Sequence, residues 1–261
     1  MTAPVLDPPD FGSSGIVASV DGRVLQLRIA RPERRNAFSL GMYRALKRSA
    51  VWADREAELD AVCVTGTGEW FGAGGDMGGR TEDAGDLAVE WDAVEQFPFR
   101  HLERCSKPWV AKINGLCHAG GIDLVLHCDV TIASDRARFR VPELLRGIPD
   151  PFMASRLAAA VGIARARYLF FTAAEFTAAE AEAMGLVGKV VPHDELDAHV
   201  EWALTQIGRT GPAARASIKR DMNRRLPAAD TALFRDSIQS AEMREGMAAF
   251  LEKREPRWPR A

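Results

Sequence analysis

The feature that most limits what this chain can fold into is an alternation of hydrophobic period. Over the first 140 or so residues, short runs with strand-like spacing end at glycines and hand over to segments with helical spacing. "GRVLQLRIA" sets Val24, Leu27 and Ile29 among polar residues and reads as a strand. "RPERRNAF" is a turn, after which Ser39 caps a helix with Met42, Leu46 and Ala50 on one face. "LDAVCVTGTG" is a short apolar strand running into glycines, and residues 81–107 read as a mostly polar helix. "KPWVAKINGL" is a strand into a turn, "HAGGIDLVLHCDV" starts at paired glycines and continues as a helix, and "DVTIAS" and "ARFRVPEL" are strands. Beyond Pro151 the pattern is helical. "SRLAAAVGIARARYLFF" is one helix, and "TAAEAEAMG" opens on a capping box (Thr177, Glu180) and closes at Gly185. An Ala/Arg/Glu-rich helical pattern then runs to about Arg254. The expectation is an α/β core with a helical C-terminal region. Its division is a flexible leader over 1–14, the core over 15–200 and helices over 201–261. No internal repeat at solenoid spacing is visible.

Composition closes off several function classes. With 261 residues, 47% of them hydrophobic, the chain can bury a core that needs no disulfide or metal. A formal net charge of -2 argues against nucleic acid as the main partner. "MTAPVLDPPDFGSSG" has neither the basic nor the apolar segment of a signal peptide, and no apolar run of about 18 residues exists. Neither membrane nor secretion is expected, and the location expected is cytoplasmic. The cysteines (Cys63, Cys105, Cys117, Cys128) form no C-x-x-C pair and read as buried, reduced thiols. The histidines show neither metal-ligand spacing nor a Ser-His-Asp order, so no metal is expected, and His118 reads as a pocket-lining residue.

Two glycine corners carry the chemical signal. "GTGEWFGAGGDMGG" is not a dinucleotide fingerprint, because Phe71 stands where the third glycine belongs. Gly72, Gly74 and Gly75 instead let backbone N–H groups approach a ligand. Gly120 and Gly121 stand at a helix start, where N–H groups lack intrahelical partners and the dipole end is positive. Two such corners, one N–H from each, would make an oxyanion hole; two ligand-free turns are the alternative.

Taken together, "RPERRNAF", "TGTGEWFGAGGDM", "INGLCHAGGIDLVLHCDV", "FRVPELLRGIPD", "AEAMGLVGKVV" and "EGMAAFLEKREP" resemble, in the same order, the enoyl-CoA hydratase/isomerase (crotonase) family. The resemblance spans about residues 16–258. It implies a spiral fold of repeated β-β-α units with a helical trimerisation region. It also implies an acyl-CoA thioester substrate, a homotrimer or dimer of trimers, and no cofactor beyond the coenzyme A that enters with the substrate.

The same resemblance assigns roles. Gly75 and Gly120 match the oxyanion-hole donors, and Asp123 and Glu143 match two acids that are both glutamate in hydratases. Aspartate is shorter by one C–C bond, about 1.5 Å, which alters how a water would be held between them. With Asp150 the pattern becomes Asp-Glu-Asp, similar to the dienoyl-CoA isomerase branch. There one acid removes a proton from the acyl chain and another returns one further along. The loop before Asp150 is one residue shorter than in that branch, and Pro151, Phe152 and Met153 replace glycines, so bulkier groups are expected around the acyl chain. A capping role in the Pro-Asp-Pro turn is the other reading of Asp150. Substrate and coenzyme A contacts carried over are Arg34, Asn36, Ala37, Ala73, Asp76, Met77, Phe250 and Lys253. Isomerisation of an enoyl or dienoyl ester is slightly favoured over hydration of a 2-enoyl ester. A catalytically weak acyl-CoA-binding protein is the rival from another class.

Overall fold

The structure, a computed structural model, describes residues 6–76, 97–238 and 240–259. Its first elements are the strands β1 (Ile16–Asp21) and β2 (Val24–Ile29), joined by a two-residue turn in which Gly22 takes φ +57°. A left-handed residue at this position suits the twist of a tight hairpin. Leu25, Leu27 and Ile29 form the buried face of β2. Val24 lies on the opposite face, so the expected stripe of Val24, Leu27 and Ile29 mixes the two sides of the strand.

The unit that follows repeats. Helix α1 (Leu40–Arg55) leads to β3 (Ala61–Gly66) and β4 (Trp70–Gly72). Helix α2 (Phe99–Arg104) leads to β5 (Trp109–Ile113) and β6 (Leu116–His118). Helix α3 (Gly120–Leu126) leads to β7 (Val130–Ser134) and β8 (Arg138–Arg140). In each pair of strands the first joins a six-stranded sheet, ordered β1-β2-β3-β5-β7-β10, and the second a four-stranded sheet, ordered β4-β6-β8-β9. Except for the β1–β2 and β8–β9 pairs, all pairings are parallel. The repeat therefore exists in the backbone although the sequence does not display it. The remaining elements are α4 (Pro151–Val161), α5 (Ile163–Thr172), β9 (Glu175–Thr177), α6 (Ala178–Met184), β10 (Lys189–Val191), α7 (Leu196–Gly208), α8 (Pro212–Asn223), α9 (Thr231–Ser237) and α10 (Ala241–Glu252).

Parallel strands buried on both faces explain why "AVCV" of β3 is uninterruptedly apolar. One face of the large sheet meets α1 and the main core. Cys63, Val110 and Ile132 on the other face meet Leu196, Val200 and Ala203 of α7. A boundary after residue 200 would cut α7 in half and strip that face, so α7 belongs to the core. The leader also differs from expectation. Phe11 is buried, packs edge-on against Trp52 at 5.9 Å, and its carbonyl accepts a bond from Arg48 at 2.9 Å. The leader is thus anchored to α1 at Phe11. Of the helix expected over 81–107, the described part is α2; residues 77–96 lie outside the described residues.

Candidate active site

The site lies where β4 and β6 end and α3 begins. Past β4, Gly75 forms a parallel bridge with Phe38. The Phe38 N–H donates to Gly74 O at 2.8 Å and the Asp76 N–H donates to Phe38 O at 2.9 Å. Strand geometry then turns the Gly75 N–H away from Phe38. Gly74 needs to be glycine: its φ is +92°, and a Cβ there would stand 2.4 Å from the Ala119 Cβ and 3.2 Å from Gly120 N. The two glycine corners are therefore in contact. Among the described residues, neither the Gly75 N–H nor the Gly120 N–H donates to another backbone group.

Ala119 aims the second donor. It sits at φ 53° and ψ −129°, a conformation that costs a residue with a Cβ on the order of 1–3 kcal/mol. The bend turns the chain from β6 directly into α3, whose first N–H groups point back toward Gly74 and Gly75. A carbonyl oxygen placed between them would meet two fixed donors and the positive end of the helix.

Three carboxyl groups face this corner, those of Asp123 and Glu143 buried and that of Asp150 half-buried. Asp123 lies in the first turn of α3, Glu143 opens the short 3-10 turn Glu143–Arg146, and Asp150 is the residue before α4. Asp150 fills the capping role expected of it in the Pro-Asp-Pro turn. One oxygen accepts from Phe152 N and Met153 N, each at 3.0 Å, and the carboxylate also bonds the Asp123 side chain. Burial raises both aspartates, but the two amides and the Asp123 bond favour charge on Asp150, while the Asp150 charge further raises Asp123. The shared proton rests on Asp123. Burial, with a smaller push from the Asp150 charge, raises Glu143 to about 8. Asp123 Oδ1 and Glu143 Oε2 are buried with no hydrogen-bond partner among the described residues. The site thus holds one capped carboxylate and two carboxylic acids, a set able to accept a proton at one point and give one at another.

Tyr43 of α1 was not anticipated. Its ring is clamped by Phe38 (5.2 Å, stacked) and by Phe97 and Phe99 (5.0 and 6.2 Å, edge-on). A Cβ at Gly120 would stand 2.4 Å from its hydroxyl. Burial, then the charges of Asp123, Asp150 and Glu143, raise its pKa well above the usual phenol value. Tyr43 sits beside Met42 on the apolar side of α1, where spacing alone reads it as core.

The coenzyme A candidates divide. Asn36 does not offer its side chain to a ligand: Oδ1 accepts from Arg31 N at 3.0 Å, and Nδ2 donates to Thr67 O at 3.0 Å and Trp70 O at 2.6 Å. It braces the turn and holds β4 in place. Asp76 is ion-paired with Arg31 at 3.0 Å, and Ala37 O accepts from Arg31 at 2.9 Å, so both belong to the same brace. Arg34 is exposed and Ala73 half-buried, while Met77 lies outside the described residues. Phe250 of α10 lies under the Arg146 guanidinium at 4.5 Å, and Lys253, at the exposed end of α10, takes φ 54°. His118 stands edge-on to Trp70 at 5.7 Å and opposite Arg140 in the β6–β8 register, on the small sheet.

Along nearly its whole length the chain is similar to known proteins. A family profile described as "Enoyl-CoA hydratase/isomerase" matches residues 19–261. A mevalonyl-coenzyme A hydratase of Aspergillus fumigatus is 33% identical over 248 residues, covering 90% of this chain and 91% of the relative. A short-chain-enoyl-CoA hydratase of Clostridium acetobutylicum is 32% identical over 92% of this chain and 96% of its own. Among solved structures, an enoyl-CoA hydratase/isomerase from Pseudoalteromonas atlantica superposes with a TM-score of 0.81 at 30% identity, over 94% of this chain and all of the other. A carnitinyl-CoA hydratase from Mycobacterium avium gives 0.80 at 27% identity, over 94% and 98%.

Proposed function

Because the chain belongs to the enoyl-CoA hydratase/isomerase family and has its crotonase fold, we propose that it isomerises an enoyl- or dienoyl-CoA thioester. The thioester carbonyl would lie between the N–H groups of Gly75 and Gly120. Negative charge that develops on its oxygen when a neighbouring C–H loses a proton would be met by donors already in place, each worth on the order of 100–1,000-fold in rate. Asp150, held as the anion by two amides, is suited to accept the proton. Glu143, buried and protonated at neutral pH, is suited to return one at another carbon.

The observation that carries this reading is the partner of Asp123. Asp150 acts on it more strongly than Glu143 does, so a third acid stands in the site besides the two between which a hydratase holds water. Hydration is the second reading, supported by the relatives, which are named hydratases. Assembly into an oligomer, a trimer by the family resemblance, is supported by Phe171 of α5, Trp202 of α7 and Met222 of α8, each more than 60% exposed. The arginines Arg34 and Arg35 beside the turn, with Phe250 and Lys253, are proposed to meet the coenzyme A portion.

The deciding experiment incubates 2-enoyl-, 3-enoyl- and 3,5-dienoyl-CoA esters with the protein in ¹⁸O-labelled water. Unchanged mass with a shifted double bond supports isomerisation. A labelled hydroxyacyl ester replaces that reading with hydration.

A further inference from the structure

The phenol of Tyr43 is a polar group set in an aromatic wall. Phe38, Phe97 and Phe99 surround its ring, and Phe152 extends the same cluster, packing on Phe97 at 5.6 Å and on Phe99 at 5.5 Å. Its hydroxyl nevertheless emerges beside Gly120, on the side of the oxyanion donors and the three acids. Among the described residues it makes no hydrogen bond, although it lies within the field of all three carboxyl groups. A hydroxyl spent on packing alone is replaceable by phenylalanine at no cost. A hydroxyl that opens into a substrate pocket has a different consequence: whatever the acyl chain places against it must pair with it or desolvate it.

We propose that the Tyr43 hydroxyl touches the bound acyl chain next to the oxyanion hole and donates a hydrogen bond to an oxygen substituent there, so the site prefers oxygen-bearing acyl chains to hydrocarbon chains. This rests on the acyl-CoA reading of the site. The physical basis is an asymmetry in what is left unpaired. A chain carrying a hydroxyl near the reacting carbons satisfies the phenol. A plain alkyl chain covers it and takes its water away, a loss on the order of tenfold in affinity. Sites built to bond a substrate hydroxyl discriminate strongly against analogues that lack it. The phenol is suited to the role because burial, and then the neighbouring acids, oppose its ionisation, so it remains a donor throughout the pH range in which the acids work. Gly120 is part of the same arrangement, since any side chain there would occupy the space of the hydroxyl.

The test measures equilibrium binding of two matched esters, 3-hydroxybutyryl-CoA and butyryl-CoA, to the full-length protein and to its Tyr43→Phe variant. The proposal expects the wild-type protein to bind the hydroxy ester about tenfold or more tightly, and the gap to close in the variant. The wild-type ratio is informative without the variant, so a folding defect in Tyr43→Phe does not remove the test. Equal affinities in the wild-type protein, or a preference that persists undiminished in the variant, overturn the proposal while leaving the acyl-CoA reading intact. Failure of both esters to bind the wild-type protein overturns the acyl-CoA reading and this proposal with it.

Discussion

At the scale of single residues, the site is governed by what burial does to carboxyl groups. Glu143 is raised to about 8 chiefly by desolvation, with the Asp150 charge adding to it. As the group that returns a proton, it is competent below that value, so turnover is expected to fall as pH rises through about 8. Glu143→Gln should remove the proton and cost at least about 100-fold in kcat, while ester binding stays largely intact. Steady-state rates across pH for both proteins check this, and a fully active variant would discard the assignment. Stability should fall over the same range. Glu143 binds its proton more tightly folded than unfolded, so its contribution is complete below the unfolded value near 4.5 and is lost as pH rises through about 8. The glutamine variant has no such loss, and its Tm at pH 8.5 should exceed that of the parent, by about 2–4 °C for each kcal/mol relieved.

Single residues also mark the limit of reading without coordinates. Gly75, Gly120, Asp123 and Glu143 stand in motifs whose order along the chain identifies them, and the structure brings all four to one corner. Asn36 stands in such a motif as well, yet its side chain is consumed by three backbone groups. An asparagine that pins a turn and one that touches a ligand look the same in sequence. Tyr43 illustrates the reverse: its position on α1 is that of a core residue, and only the approach of Gly120 reveals its hydroxyl.

At the scale of elements, α3 decides how the site is aimed, and both of its ends are testable. At its start, Ala119 holds a conformation natural to glycine. Ala119→Gly relieves strain on the order of 1–3 kcal/mol and adds chain entropy to the unfolded state worth about 0.4–1 kcal/mol. A net gain of about 1 kcal/mol is expected in urea denaturation; a loss of stability would show that the bend carries no strain. At its end, the His127 ring lies 2.7 Å through Nδ1 from Asp123 O and stacks on Phe99 at 4.6 Å. Burial lowers its pKa from 6.5 to about 4, against the pull of Glu103. Because the unfolded chain takes up this proton first, the contribution is whole above 6.5 and is lost as pH falls toward about 4. The Tm of the parent should drop across that window, and His127→Gln should flatten the drop. Identical profiles would mean that other groups set the acid limb.

The elements also show which signals a sequence displays. Ser39 and Thr177 cap their helices as their spacing predicts, with Ser39 Oγ accepting from Met42 N at 3.2 Å and Thr177 Oγ1 from Glu180 N at 3.2 Å. By contrast β4, β6, β9 and β10 are three residues each, too short for any period to show. β1 was not among the expected strands: Ile16, Ala18 and Val20 alternate before the Asp21-Gly22 turn, but the neighbouring Pro/Gly/Ser-rich leader masks them.

At the scale of the whole molecule, the thiols report on the integrity of the core. Cys63, Cys105 and Cys117 are buried, and desolvation raises all three, Cys63 to about 12. The thiolate is the reactive form, so labelling by an aromatic disulfide reagent at pH 8 should be slow in the folded protein. It should become complete in urea, with a midpoint coincident with loss of helical circular dichroism. Rapid labelling of Cys63 in buffer would show that the packing of α7 on the sheet opens readily.

The sequence by itself determined the class of fold, the helix caps, the family and the location of its glycine corners and acids. These depend on residue type and on spacing within a few positions, where the chain is its own reference. Tertiary structure alone decided which carboxylate keeps the proton, that Asn36 is a brace, that Phe11 and α7 belong to the core, and that Tyr43 opens onto the site. Each of these depends on groups from elements far apart in the chain meeting where water is excluded, and neither the meeting nor the loss of solvent is written in local spacing.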